Sequence, residues 1–271
     1  MVWGGETAKD SEMTATERQT VQALLAWYAA MGADEAIGEA PVDRFATPAP
    51  ERPSTTACEA RLVARPATVK APVLGNGVGA AAAREAATLV ELQAMVAGFD
   101  GCALKRTAKS LCFARGRDDA RLMLIGEAPG RDEDLQGKPF VGRAGQMLDR
   151  MLAAIGLAEE HLYITNTVYW RPPGNRTPTP EEVQACAPFL ARQIELLSPQ
   201  VLVLLGGAAA KNILGITEGI MRLRGKWLVY ACGGGEIATL ATLHPAFLLR
   251  NPEHKRLAWR DLLMVKERLA P

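Results

Sequence analysis

The chain has 271 residues, 48% of them hydrophobic and 23% charged, with a formal net charge of +1. That length suits one substantial domain with an extension, or two small domains, and the composition is that of an ordinary globular protein. So balanced a charge excludes the strongly basic or acidic chains whose global field selects a partner. The charge is uneven, however: residues 1–90 hold 8 basic and 11 acidic side chains, and residues 91–271 hold 23 and 19. This asymmetry faintly favours an anionic partner for the C-terminal part. No stretch reaches the ~18–20 apolar residues of a membrane span, so no membrane partner is expected. The opening "MVWGGETAKDSEM" lacks the basic start and apolar core of an export signal. Five cysteines, Cys58, Cys102, Cys112, Cys186 and Cys232, are far apart and odd in number. They read as reduced thiols of a cytoplasmic protein.

In chain order, residues 14–32 pattern as one amphipathic helix, with Thr14 or Thr16 as cap, Val21, Leu24, Leu25 and Tyr28 at helical spacing, and Gly32 as stop. Residues 36–82 are rich in Pro, Ala and Thr without periodicity and read as a linker. A helix resumes over residues 83–98. Beyond it, four short apolar runs follow: "ARLMLIG" (120–126), "HLYITNTV" (161–168), "QVLVLLGG" (200–207) and "IATLATLHP" (237–245). Helical patterns separate them, and a last helix covers about 252–269. In "TPEEVQACAPFLARQIELL", Thr179 caps, Pro180 takes the first turn and two glutamates suit the positive helix end. Such alternation implies a parallel sheet covered by helices on both faces. The expected fold is α/β, a three-layer α/β/α sandwich on a four-stranded, mostly parallel sheet with a helical N-terminal extension. The expected division is 1–35 helix, 36–82 linker and 83–271 α/β domain carrying the strands.

In such folds the ligand sits beyond the carboxyl ends of the strands. The first strand ends in "IGEAPGRDEDLQGKPFVGRAG" (125–145), a glycine-rich strand-to-helix turn that looks like a phosphate cradle. Yet it carries Glu127, Asp132, Glu133 and Asp134, which repel phosphate. It lacks the Gly-Lys-Ser/Thr of a Walker loop, no Ser or Cys stands on a nucleophile elbow, and no Cys/His pair has metal-ligand spacing. The strand ends instead gather Glu127, Glu133, Asn166 and His244, with Phe140 from the opening loop. An amide that donates and accepts suits the edge of a base. A phenyl ring suits stacking on a flat heterocycle, an imidazole suits a developing anion, and a carboxylate suits positive charge or a water. Plainer readings stand beside these: a helix-capping Glu127, a solvated Glu133, a core Phe140, a turn-capping Asn166 and a structural His244.

The segment "HPAFLLRNPEHKR" places Phe247, Leu248 and Leu249 before Arg250, Lys255 and Arg256. An apolar wedge flanked by basic residues suits the unstacking of DNA, with the cations on phosphates. Arg171 and Arg176 on the loop "WRPPGNRTPTP" form a second basic cluster.

Taken in order, "GEAPG", "GKPFVGRAGQ", "YITN", "WRPPGNRTP" and "TLHPAFLLR" resemble the uracil-DNA glycosylase superfamily, nearest its family 4, over roughly residues 95–268. The resemblance implies excision of uracil from DNA by hydrolysis of the N-glycosidic bond, with uracil-containing DNA as partner and a monomer as the working form. It implies Glu127, Glu133 and His244 as catalytic residues. Gly126, Ala128, Phe140 and Asn166 would bind uracil, and Leu248, Arg250, Arg171, Arg176 and Lys255 would bind DNA, with Leu248 as the wedge. One departure matters. The family 4 pattern includes four cysteines around an iron–sulfur cluster, and here Cys102 and Cys186 match two of them, while Phe99 and Trp170 stand at the others. Such a cluster needs four thiolates, so no metal or other cofactor is expected and apolar packing is expected in its place. A damage-sensing module without catalysis, or a nucleoside hydrolase, remains an alternative on the same fold.

Overall fold

The computed structural model describes residues 68–69, 78–233 and 235–270. The helix expected over 14–32, and Cys58 with most of the linker, lie outside the described residues. Helices α1 (Val78–Glu85) and α2 (Leu89–Gly98) take the place of the single helix expected over 83–98. They are separate because Thr88 caps α2, its hydroxyl accepting the backbone N–H of Glu91. A short strand, β1 (Thr68–Val69), and the start of α1 also fall within the segment read as linker.

Four parallel strands form the centre of the sheet: β3 (Leu122–Gly126), β4 (Leu162–Asn166), β5 (Val201–Leu205) and β7 (Gly235–Thr242). They match the four apolar runs read from the sequence. The sheet, however, has seven strands, in the order β1-β6-β7-β5-β3-β4-β2. The extra strands are β1, β2 (Arg115–Gly116) and β6 (Trp227–Cys232). β6 pairs antiparallel with β7 and β2 antiparallel with β4, while β1 runs parallel to β6.

Every residue of β3, β4 and β5 is buried, as expected for strands covered on both faces. On one face Met123, Ile125, Leu202 and Leu204 pack against α5 (Pro180–Leu197) and α6 (Gly207–Leu214), through Leu190, Ile194 and Ile213. On the other, Leu122, Leu124, Val201 and Val203 meet α4 (Arg143–Ala154) and α9 (Lys255–Leu269), through Leu148, Leu152, Leu262 and Val265. These are the three layers. The chain leaves β3 for β4 on one side and returns to β5 on the other, which opens a crevice at the carboxyl ends. β3 ends opposite β4 with Gly126 level with Asn166.

A further apolar cluster lies beside the sheet and joins α1 and α2 to α5. It contains Cys102, Cys186, Trp170 and Phe189, with Phe99 packed against it. The Phe99 and Phe189 rings lie 4.9 Å apart, and the Tyr169 and Trp170 rings meet edge to face at 6.2 Å.

Candidate active site

The carboxyl ends of β3, β4 and β7 open into a cleft of about 480 Å³. Its floor is built by close approach. A Cβ on Gly126 would stand 2.4 Å from Phe140 Cζ and 2.5 Å from Asn166 Oδ1. Only a residue without a side chain lets that ring and that amide meet there. Phe140 is buried and holds φ at +57°, a conformation rare for a bulky residue and strained by about 1–3 kcal/mol. Its carbonyl turns toward Gly145, where a Cβ would fall 1.7 Å from the oxygen. The loop and the first turn of α4 thus press the ring into the cleft, 5.7 Å from the His244 ring and tilted by 35°.

Asn166 is 1% exposed, and neither Nδ2 nor Oδ1 has a hydrogen-bond partner among the described residues. A buried amide left unpaired at both ends costs about 1–3 kcal/mol per group. Its neighbour Thr167 does have a partner: the hydroxyl donates to the Glu127 carbonyl at 2.6 Å and fixes the strand-end loop.

His244 lies just past the end of β7 and caps the short helix α8 (Pro245–Arg250), its Nδ1 accepting the Ala246 N–H at 3.1 Å. A neutral ring accepting at Nδ1 carries its proton on Nε2. Burial, and then the Arg250 charge, lower its pKa from 6.5 to about 4. The imidazole is therefore an uncharged donor at neutral pH.

The acidic loop divides its carboxylates among different tasks. Glu127 is half-buried and lines the cleft. Glu133 also lines it, but both of its oxygens are engaged, Oε2 accepting from Gly130 N at 3.1 Å and Oε1 from Gly142 N at 2.8 Å. It closes the loop across the base of α3 (Arg131–Gln136). Asp134 is buried and accepts from the N–H groups of Lys109 and Ser110 at 2.8 and 3.1 Å. The cradle-like turn is thus held together by its own acids.

Of the other expected residues, Ala128 and Arg250 line the cleft. Arg176 lines it too, but its guanidinium forms two bonds to Glu182, at 2.8 and 2.6 Å, and this cation holds the Glu182 pKa below the usual carboxylate value. Arg171 donates to Asn175 Oδ1 at 2.7 Å. Both arginines stiffen their loop; the Arg176 charge is paired with the Glu182 carboxylate, whereas Arg171 bonds a neutral amide and lies 4.0 Å from Asp134. Lys255 is exposed at the start of α9, outside the cleft lining.

Leu248 corrects the sequence reading. It is 0% exposed, packed with Met147, Leu243 and Ala258, and so does not face a DNA ligand. Leu249, the next residue, is 37% exposed, and Phe247 lines the cleft. Helix phase explains the difference. Pro245 and Leu248 share the inner face at i, i+3, which turns Leu249 outward. The spacing from His244 hid a distinction that the helical period held.

Fold and site together define a doubly wound α/β protein whose strand ends bring an aromatic ring, an amide and an imidazole into one cleft. A family model described as the uracil DNA glycosylase superfamily matches residues 113–263, more than half of the chain. The chain belongs to that superfamily. It is 44% identical over 156 residues to a type-4 uracil-DNA glycosylase of Archaeoglobus fulgidus, covering 56% of this chain and 78% of that one. It is 40% identical over 174 residues to the type-4 enzyme of Saccharolobus solfataricus, covering 62% and 81%. It is 41% identical over 171 residues to that of Thermotoga maritima, covering 61% and 86%.

Proposed function

We propose that this chain is a monofunctional uracil-DNA glycosylase that flips uracil out of DNA and hydrolyses its N-glycosidic bond, leaving an abasic site for base excision repair. The observation that carries the reading is the Asn166 amide, buried with its donor and its acceptor both unpaired among the described residues. Uracil presents the complement, an N3–H to donate and an O4 to accept. Phe140 stacks on the flipped ring. His244 Nε2–H donates to O2 as the C1′–N1 bond breaks and its electron pair moves onto the base. Glu127 supports the positive charge on the sugar and the water that bonds to C1′, whose proton leaves to the base or solvent. Glu133 acts through the loop it closes. Arg250 and Lys255 meet phosphates, and Leu249, with Phe247 behind it, enters the space the base vacates. The family pairing of this reaction with curated type-4 relatives at 36–44% identity supports the same reading.

The test is a labelled oligonucleotide with one uracil, incubated with the protein and a chelator and then treated with alkali. Strand scission at the uracil alone is the expected outcome. Binding without scission would replace the enzyme by a damage-sensing module, and cleavage of free deoxyuridine instead would replace it by a nucleoside hydrolase.

A further inference from the structure

Behind the cleft, Cys186 donates its S–H to the Cys102 sulfur across 3.9 Å. Both thiols are 1% exposed, and 84 residues of chain separate them. Cys102 precedes a single 3-10 turn, Ala103–Arg106, and Cys186 sits in the second turn of α5. The superfamily resemblance implies a four-thiolate iron–sulfur cluster in this region. The residues present do not fit one. Phe99 and Trp170, at the other two positions, have hydrocarbon surfaces packed into the same apolar cluster. Cys112, the next buried thiol, is turned to the Glu133 carbonyl at 3.1 Å. Among the described residues no three His, Cys, Asp or Glu side chains are grouped to hold a metal ion. Two sulfurs remain, facing each other in an apolar enclosure.

We propose that Cys102 and Cys186 form a reversible dithiol–disulfide pair, an oxidative modification site for small peroxides. One thiolate attacks an oxygen of hydrogen peroxide, the O–O bond breaks, and the hydroxide that leaves takes up the thiol's proton, giving a sulfenic acid and one water. The second sulfur then attacks the sulfenic sulfur and expels a second water. Two hydrogens and two electrons pass from the thiols to the peroxide, and the S–S bond forms. A disulfide holds its sulfurs about 2.0 Å apart, so closure needs roughly an ångström of movement from each side chain, within reach of small χ1 changes. Burial shields the pair from other chains' thiols and favours the intrachain product. The bond would enclose β2, β3, β4, α3 and α4, the half of the fold that carries Phe140 and Asn166. Closing so long a loop restricts the unfolded chain, so the oxidised form melts at a higher temperature.

The test uses the full chain, either reduced or treated with hydrogen peroxide, then denatured in an alkylating agent and mapped by mass spectrometry. Expected are a mass lower by two hydrogens before alkylation, two fewer alkylated cysteines and a peptide joining Cys102 to Cys186. The thermal midpoint should rise by on the order of 5 °C or more and return on reduction. Cys186→Ser should abolish the joined peptide; if that variant fails to fold, the map of the unaltered chain decides alone. Sulfinic acid on either sulfur, a disulfide to another cysteine, or full alkylation after peroxide would overturn the proposal.

Discussion

His244 sets the electrostatic terms of the site. Its folded-state pKa of about 4 lies below its ordinary 6.5 because the ring is desolvated and Arg250 adds positive charge. Between those values the unfolded chain binds the proton and the folded chain does not. Neutral burial therefore contributes its full stability above about pH 6.5 and loses it as the pH falls toward 4. The same depression keeps the Nε2–H donor uncharged at working pH. The single-turnover excision rate should show no histidine inflection near pH 6.5 and should fall only near pH 4. His244→Gln should lose about 10²–10³-fold in rate with the thermal midpoint little changed. An inflection near 6.5 that vanishes in the variant would contradict a neutral imidazole. The residue types at the strand ends were legible because few chemistries need an amide, a ring and an imidazole together. The engagement of Glu133, Arg171 and Arg176 was not, because each finds its partner only once the loop has closed.

At the scale of elements, α8 separates packing from contact over one residue step. Leu248→Ala removes a fully buried side chain and should cost about 2–5 kcal/mol, read as a lower thermal midpoint. Leu249→Ala should leave the midpoint within a degree or two. It should slow excision from duplex DNA more than from single strands, because only the duplex has a base stack to break. Equal loss on both substrates would remove Leu249 from that role. The parallel strands were readable from continuous apolar runs such as Val201–Leu205, which only a doubly covered strand tolerates. β1 and β2 were not readable, since two residues hold no period. β6 carries an ordinary apolar run and escaped notice because it returns antiparallel through a glycine-rich turn, outside the strand–helix alternation.

For the whole molecule, the parallel sheet implied by strand–helix alternation places the cleft at the strand ends, while the strand order came only with the structure, and the side cluster decides what the domain can bind beside DNA. With Phe99 and Trp170 filling two positions of the resembled cluster, purified protein should be colourless, with no stoichiometric iron by elemental analysis. Brown protein with visible charge-transfer absorption would show that other ligands complete the site. No described helix is long and apolar enough to cross a membrane. Among the described residues, the core consists of two sheet faces and two further apolar clusters beside them.

The Asn166 amide is buried with neither polar end paired to a described protein group. Uracil's edge supplies both partners at once, whereas a hydrocarbon of leucine's size would remove the need for either. Asn166→Leu, close in volume and free of polar atoms, should therefore raise the thermal midpoint by a few degrees while abolishing excision. Calorimetry beside the scission assay would show the trade directly: a lower midpoint in Asn166→Leu would mean that the amide is already satisfied.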